Sequence, residues 1–231
     1  MCTCMVMGKK NAYFGRSMDF EYRFGERVAV TPRNMLFSLK NGLQIRTRYA
    51  MIGMAAVRGE YPLYAEAVNE KGVAMAGLNF PGNAVHFAPV QGKLNLAPYE
   101  LIPWFLGQCE TAAQIRESLS DLVITNIPFS DQLPLSELHW MICDREACFV
   151  VEQTKEGLCW YENPIGVMTN NPPFPYQMMN LRNYLNLSPN EPVNRFSDRI
   201  VLQTYGRGMG AIGLPGDTSP ESRFVRAAFN K

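Results

Sequence analysis

The pattern of apolar and polar positions predicts that the chain begins with strands. Residues 2–7 form a short apolar run, residues 8–11 have the composition of a turn, and apolar and aromatic residues resume over 12–20. This pattern predicts a β-hairpin whose first strand starts at residue 2. Further strand-like runs cover 28–31, 49–57 and 73–80. The last two are apolar at successive positions, which is typical of strands that are covered on both faces.

Helical spacing appears in the middle of the chain. Apolar residues recur three to four positions apart after Pro98, and these are Leu101, Ile102, Phe105 and Leu106. A second helix is predicted to begin at Thr111, because Gln114 follows three residues later as in a capping box. Strand patterns return over 138–143, 148–153 and 158–161, joined by short polar turns. These three runs predict an antiparallel meander.

The order of these elements predicts the fold class. Strands come first, then helices, then strands again, without the alternation of strand and helix that builds parallel sheets. This order is typical of an α+β domain in which helices cover antiparallel sheets. No repeat, linker or low-complexity segment divides the 231 residues, so a single domain over 1–231 is predicted.

Composition and charge exclude several classes of protein. The chain has 22 Lys and Arg against 21 Asp and Glu, so its net charge of +1 offers no field for nucleic acid or an anionic membrane. The longest nearly uncharged apolar stretch, 49–57, is about half of the roughly 20 residues that a membrane span needs. Because the N-terminal apolar run precedes Lys9 and Lys10 instead of following a basic leader, a cytoplasmic location is expected. The 13 Phe and 13 Met either fill the core or line a pocket for a bulky apolar ligand.

Metal and cofactor chemistry find little support in the sequence. His86 and His139 are too few and too far apart for a histidine metal site, and no two cysteines have zinc-knuckle spacing. The six cysteines are expected to be mostly buried thiols, since a disulfide framework is unusual in a cytosolic chain. Residues 208–213 match the dinucleotide-binding pattern G-x-G-x-x-G, but Pro215 and Gly216 follow at once. A glycine-rich loop is therefore predicted there, and no metal or cofactor is expected.

The chain terminus carries the remaining chemistry. Removal of Met1 would leave Cys2 with a free α-amino group, which places a nucleophile and a base on one residue. A cysteine thiol has an ordinary pKa of about 8.5 and an α-amino group one of about 7.7 to 8.0, so such an amine can accept a thiol proton near neutral pH. A cysteine at position 2 is usually incidental, so the catalytic interpretation depends on its context.

That context is a set of motifs in a fixed order along the whole chain. They are Cys2, Phe14-Gly15-Arg16-Ser17-Met18-Asp19, Asn69-Glu70-Lys71-Gly72, Gly77-Leu78-Asn79-Phe80-Pro81-Gly82, Leu138-His139-Trp140, Met168-Thr169-Asn170-Asn171-Pro172, Gly213-Leu214-Pro215-Gly216-Asp217 and Ser222-Arg223-Phe224. The set resembles the choloylglycine hydrolase family, the N-terminal-nucleophile amidases that include bile salt hydrolases and penicillin V acylases. The resemblance implies a four-layer αββα fold, no cofactor, and a homotetramer.

The resemblance also implies the residues of a catalytic site. Cys2 is the expected nucleophile, Asn79 the expected oxyanion donor, and the full expected set is Cys2, Arg16, Asp19, Asn79, Asn170 and Arg223. Asp19 is expected to orient the α-amino group, and Arg16 to favour a thiolate. Asn171 leaves the position of the second asparagine open by one residue. The expected apolar wall for substrate consists of Met18, Phe24, Phe80 and Phe129, each of which can instead be plain core.

Hydrolysis of a small-molecule amide, a bile acid conjugated to glycine or taurine, is the expected activity. Penicillin V or N-acyl homoserine lactone hydrolysis by the same mechanism is the alternative. A second alternative is an inactive fragment, because the chain ends soon after the last matched motif, whereas the family it resembles has longer chains. In that case an apolar sheet face is expected to be left uncovered.

Overall fold

The computed structural model describes residues 1–8, 12–19 and 23–231. Its strands up to the middle of the chain are β1 Cys2–Met7, β2 Tyr13–Met18, β3 Glu26–Thr31, β4 Leu36–Ser38, β5 Gln44–Arg46, β6 Met51–Arg58, β7 Tyr61–Asn69 and β8 Ala74–Asn79. The later strands are β9 Leu94–Leu96, β10 Leu122–Ile124, β11 Leu138–Cys143, β12 Cys148–Thr154, β13 Gly157–Glu162 and β14 Val167–Met168. The helices are α1 Leu101–Gln108, α2 Ala112–Ser118, α3 Phe174–Leu181 and α4 Pro220–Asn230.

A large antiparallel sheet forms the centre of the fold, with the strand order β13-β12-β11-β8-β7-β6-β3. Alternate residues of its central strands enter two different cores. Met75 and Trp140 pack with residues of α1 and α2 such as Phe105. Ala76 and Met141 pack in the second core instead. Both faces of these central strands are therefore covered, as predicted for the run over 73–80.

A second sheet, with the strand order β14-β1-β2, covers the other face of the large sheet. Cys2 and Cys4 on one face of β1 are buried in the core that includes Leu78. Thr3 on the opposite face of β1 accepts a hydrogen bond from Arg223 of α4. The layers are thus helices, large sheet, small sheet and helices, which confirms the predicted four-layer αββα architecture.

The sequence placed most of these elements correctly. The N-terminal hairpin pairs Cys2 with Met18, and the meander pairs β11 with β12 and β12 with β13. The turn predicted over 8–11 lies outside the described residues except for Gly8, as does Phe20. Thr111 caps α2 by accepting from the Gln114 N–H at 3.2 Å. In a capping box the Gln114 side chain would accept from the N–H of the capping residue, Thr111. Here it accepts from the N–H of the preceding residue, Glu110.

The prediction that 49–57 is covered on both faces is wrong. Ile52 of β6 is 46% exposed, because the small sheet lies over β7 and β8, where Arg16 of β2 reaches the carbonyl of Gly77. Ile52 pairs with Val30 on one side and with Val68 on the other. Val28, Val30, Ile52 and Val68 are all exposed and form what we call the uncovered sheet face. An uncovered apolar face was one of the sequence expectations.

The expectation that the six cysteines are mostly buried thiols is wrong, because two of them form a disulfide and only Cys2 and Cys4 are buried thiols. Cys143 of β11 and Cys148 of β12 are directly opposite each other, with their Cα atoms 4.2 Å apart, and form a disulfide. Cross-strand pairing brings the two side chains together in a way that the polar turn between them did not reveal. Cys2, Cys4, Cys109 and Cys159 are free.

The glycine-rich segment is a loop with a single 3₁₀ turn over Met209–Ala211, as predicted. A Cβ at Gly210 would lie 2.1 Å from the carbonyl oxygen of Asn190, so the close approach of the two backbones requires glycine there. Among the helices of the described residues, none is long and apolar enough to cross a membrane.

Candidate active site

Cys2 lies at the start of β1, between the two sheets, and is 1% exposed. The antiparallel register of the hairpin places Arg16 of β2 opposite Cys4, on the same face of the small sheet as Cys2. The Arg16 Nη2 lies 2.8 Å from the Cys2 Sγ. A permanently charged guanidinium at this distance can stabilise negative charge on the sulfur.

Arg16 is itself held rigidly from the large sheet. Its Nη1 donates to the Gly77 carbonyl at 2.8 Å and lies 3.4 Å from the Glu66 carboxylate. The Arg16 side chain is only 3% exposed. Burial raises the pKa of Glu66, while the Arg16 charge acts in the opposite direction. Sequence reasoning missed Glu66 because β7 was not recognised as a strand.

Asn170 and Arg223 hold the backbone of Cys2 from the opposite side. The Asn170 Oδ1 accepts from the Cys2 N–H at 2.9 Å and from the Arg223 Nη2 at 2.8 Å. Arg223 also donates to the Cys2 carbonyl and to the Thr3 hydroxyl. Asn170 is thus the asparagine that contacts Cys2, whereas the Asn171 side chain donates to the Pro81 carbonyl.

Asp19 contacts the residue before Cys2 through its backbone. Its carbonyl accepts from the Met1 ammonium at 2.6 Å, and its N–H donates to the Met1 carbonyl. The Asp19 carboxylate accepts from the Ser17 hydroxyl at 3.0 Å. With Met1 in place, the Asp19 carboxylate has no α-amino partner among the described residues. Its expected role, to orient the α-amino group of Cys2, therefore applies only after Met1 has been removed.

A cavity of about 680 Å³ opens beside Cys2. This volume lies within the range of about 300–1,000 Å³ that is usual for small-molecule sites. Asn79, the last residue of β8, lines the cavity together with Met1, Cys2, Arg16 and Asp19. The Asn79 carbonyl accepts from the Asn170 side chain at 2.7 Å, which ties the two asparagines together.

Three of the four expected wall residues line this cavity: Met18, Phe24 and Phe129. Most of the remaining wall is also apolar and includes Met54, Leu63, Leu133 and Leu138. The prediction that Phe80 lines the cavity is wrong. Its ring is fully buried and stacks on His139 with a centroid distance of 4.3 Å, so it faces away from the cavity.

Cys4 provides a contrast with Cys2 on the same strand. It is fully buried, and burial raises the pKa of its thiol well above the ordinary range. Within residues 1–8, 12–19 and 23–231, no group of three or more His, Cys, Asp or Glu side chains could hold a metal ion. The side chains that form hydrogen bonds with Cys2 in the described part of the chain are those of Arg16, Asn170 and Arg223.

The family follows from comparison with known proteins. The model of the linear amide C–N hydrolases, choloylglycine hydrolase family, matches residues 2–231. The chain belongs to the choloylglycine hydrolase family. It is therefore an enzyme that hydrolyses linear amide C–N bonds of a small molecule.

Individual relatives agree with this family assignment. A bile salt hydrolase/transferase from Lactiplantibacillus plantarum is 48% identical over 231 residues, which cover 100% of this chain and 71% of that protein. A mutant conjugated bile acid hydrolase from Clostridium perfringens superposes with a TM-score of 0.92 at 39% identity, over 100% of this chain and 71% of that one. Penicillin V acylase from Agrobacterium tumefaciens, at 21% identity and a TM-score of 0.74 over 99% of this chain and 64% of that one, shares the fold.

Proposed function

We propose that this family member is a bile salt hydrolase, which cleaves the amide bond between a bile acid and glycine or taurine. The observation that carries the proposal is the position of the Cys2 thiol beside a large, mostly apolar cavity, with Arg16 2.8 Å from its sulfur. A bulky apolar acyl group fits this wall, and its amide carbonyl can approach the thiol. The names of the relatives from L. plantarum and C. perfringens support this substrate class.

The proposed reaction begins once Met1 has been removed. The freed α-amino group of Cys2 accepts the thiol proton, and the thiolate forms a C–S bond with the amide carbonyl. The Asn79 side-chain amide donates to the resulting oxyanion. The C–N bond then breaks as the ammonium returns its proton to the leaving nitrogen, which releases glycine or taurine. Water hydrolyses the thioester, which releases the bile acid and regenerates the thiol.

The neighbouring residues have supporting roles in this proposal. Asn170 keeps its hydrogen bond to the Cys2 nitrogen, which is the base after Met1 is removed. Asp19 is then free to orient the new ammonium through its carboxylate, as the sequence predicts. Arg223 fixes the Cys2 backbone through its carbonyl. Met1 has to leave, because it lines the cavity and its ammonium occupies the carbonyl of Asp19.

The experiment that tests this function measures the amine released from glycocholate, taurocholate and penicillin V. We expect release from the two bile salts by the wild type and none by Cys2→Ala. Cys4→Ser is the matched control, since it alters a thiol on the same strand that has no proposed role, and it should retain activity. Activity on penicillin V alone would assign the alternative substrate class, and undiminished turnover by Cys2→Ala would refute the mechanism.

We also propose that the protein is a cytoplasmic homotetramer. A segment rich in exposed large apolar side chains supports self-association: Leu185, Val193, Phe196, Ile200, Val201, Leu202 and Tyr205. The four free cysteines are consistent with a reducing compartment, whereas the Cys143–Cys148 disulfide would be unusual there. Light scattering should give four times the chain mass, and Phe196→Ser with Tyr205→Ser should lower it. A monomeric wild type would refute the tetramer, and recovery of the native protein outside the cytoplasmic fraction would refute the location.

A further inference from the structure

A buried pair of polar side chains, His139 and Glu152, lies directly behind the catalytic group. The two residues face each other on β11 and β12, next to the paired residues Trp140 and Val151. Their side chains are 2% and 1% exposed. The His139 Nδ1 lies 3.0 Å from the Glu152 Oε1. Neither residue lines the cavity or contacts Cys2, so the proposed reaction does not use them.

The His139 ring contacts the backbone segments that carry both site asparagines. Its Nε2 lies 2.8 Å from the carbonyl oxygen of Thr169, the residue before Asn170. One face of the ring stacks on Phe80, the residue after Asn79, with an interplanar angle of 6°. A single rigid side chain therefore touches the neighbours of both Asn79 and Asn170.

The hydrogen-bond chemistry fixes the direction of these contacts. A carbonyl oxygen only accepts, so the His139 Nε2 carries a hydrogen and donates it to Thr169. The Nδ1 lies 3.0 Å from the Glu152 Oε1, which also accepts from the Phe174 N–H at 2.9 Å. Glu152 thereby fixes the ring orientation and anchors the first residue of α3. Orientation of a histidine by a buried carboxylate is a common device for setting its tautomer.

The same segment is tied to the helix that carries Arg223. The Thr169 hydroxyl donates to the carbonyl of Pro220, the first residue of α4, at 2.9 Å. The Gln177 side chain of α3 donates to the Asn171 carbonyl at 3.1 Å. The segment 169–171 is thus held by His139 of β11, by α3 and by α4, and its Asn170 side chain also donates to the Asn79 carbonyl of β8 at 2.7 Å.

We propose that His139, oriented by Glu152, is a positioning residue that sets the relative placement of Asn79 and Asn170 around Cys2. This inference rests on the proposed function, in which Asn79 holds the oxyanion and Asn170 the attacking residue's nitrogen. A misplacement of about 1 Å at such groups costs up to about 100-fold in rate. Neither His139 nor Glu152 lines the cavity, so the effect falls on kcat and leaves KM nearly unchanged.

Two substitutions at His139 separate positioning from packing. His139→Leu removes both hydrogen bonds, and His139→Gln keeps an amide N–H that can reach the Thr169 carbonyl. We expect kcat for glycocholate per titrated Cys2 thiol to fall about 10- to 100-fold in His139→Leu and to recover at least in part in His139→Gln. His86→Gln, at the other histidine, is the matched control and should match the wild type. If His139→Leu does not fold, Glu152→Gln takes its place, with Glu162→Gln as its control.

A second readout does not depend on substrate. The NMR signals of the Asn79 and Asn170 side-chain amides should shift in His139→Leu and stay unchanged in His86→Gln. If the wild type hydrolyses no bile salt, the proposed function fails, but these NMR signals still test whether His139 positions Asn79 and Asn170. Unmoved signals with wild-type kcat in His139→Leu, or equal losses in the Leu and Gln variants, would overturn the proposal.

Discussion

Asn79, the last residue of β8, lines the cavity beside Cys2. The residue is exposed, and its side chain has no hydrogen-bond partner in the described part of the chain. Asn79→Ala should therefore lower kcat by about 10²- to 10³-fold, as expected for an oxyanion donor. Its free energy of unfolding should change by less than about 0.5 kcal/mol. Steady-state kinetics with urea unfolding checks both values, and a kcat within threefold of the wild type would remove Asn79 from the mechanism.

Arg16, which is buried, and Glu66, which is partly buried, form a charge pair beside the thiol. Removing only one of them leaves the other charge unpaired, so the informative variant is the double change Arg16→Met with Glu66→Met. At pH 7 the rate of Cys2 alkylation by iodoacetamide should fall about tenfold, because the positive charge beside the sulfur is lost. Peptide mass spectrometry measures this rate, with exposed Cys159 as the internal reference, while Cys4, which does not line the cavity, should stay unlabelled. An unchanged rate at Cys2 would show that Arg16 does not activate the thiol.

The residues of the site could be predicted from their motifs, but their contacts could not. Cys2, Asn170 and Arg223 are far apart in the sequence, and only the layering of the two sheets and α4 brings them into one hydrogen-bonded group. Phe80 was assigned to the wall because aromatic side chains suit an apolar ligand. Strand alternation turns its side chain away from the side of Asn79, where it packs on His139.

At the scale of elements, the N-terminus of α4 determines where Arg223 lies. Ser219 caps the helix by accepting from the Ser222 N–H at 3.3 Å. The Asp217 carboxylate accepts from the Ser219 N–H at 2.9 Å and from the Ser222 hydroxyl at 2.6 Å. Ser219→Ala should lower the free energy of unfolding by about 1 kcal/mol and weaken the hold on Cys2. Thermal unfolding measures the loss, and a stability equal to the wild type would contradict this role of the cap.

The same helix start predicts a dependence of stability on pH. Hydrogen bonds from Ser219 and Ser222 hold the pKa of Asp217 well below its ordinary value of 3.8. A carboxylate whose pKa is lower in the folded state stabilises fully above its unfolded pKa, and this contribution is lost as the pH falls below it. Asp217→Asn should thus be less stable than the wild type at pH 6, with the difference shrinking below pH 3.8. Urea midpoints at several pH values test this, with Glu221→Gln as control, and a difference independent of pH would contradict it.

Other elements show where the sequence pattern was insufficient. β7 contains Pro62, Glu66 and Asn69, which do not resemble a central strand. Their polar groups find partners only in the folded chain: Glu66 pairs with Arg16, and the Asn69 amide donates to the Leu106 carbonyl at the end of α1. β14 has only two residues, too few for a periodic signal. Local pattern predicts elements that bury apolar faces, and it misses those whose polar side chains are satisfied by distant partners.

At the scale of the whole molecule, the small sheet covers only part of the large one. The uncovered sheet face consists of Val28, Val30, Ile52 and Val68, which are between 37% and 66% exposed. The chain spans 71% of the length of its relative from L. plantarum. Exposed apolar strands promote self-association and bind apolar dyes.

This face gives a prediction for the 231-residue chain. Val30→Lys with Ile52→Lys should lower the fluorescence of bound anilinonaphthalene sulfonate and raise the soluble concentration. The kcat for glycocholate should stay the same, since neither residue lines the cavity. The control is Lys155→Glu, which alters the charge of an exposed turn far from the face. Thr3→Lys would be unsuitable as a control, because Thr3 contacts Arg223. Unchanged dye binding in the double variant would show that the face is not accessible.

In the proposed mechanism, Cys2 with a free α-amino group carries the acyl group during turnover. Rapid quenching of the reaction with glycocholate, followed by mass spectrometry of the N-terminal peptide, detects this intermediate. We expect a peptide that begins at Cys2 and carries a cholyl thioester during turnover. Turnover with Met1 still attached, or with the cholyl group on another residue, would refute the mechanism.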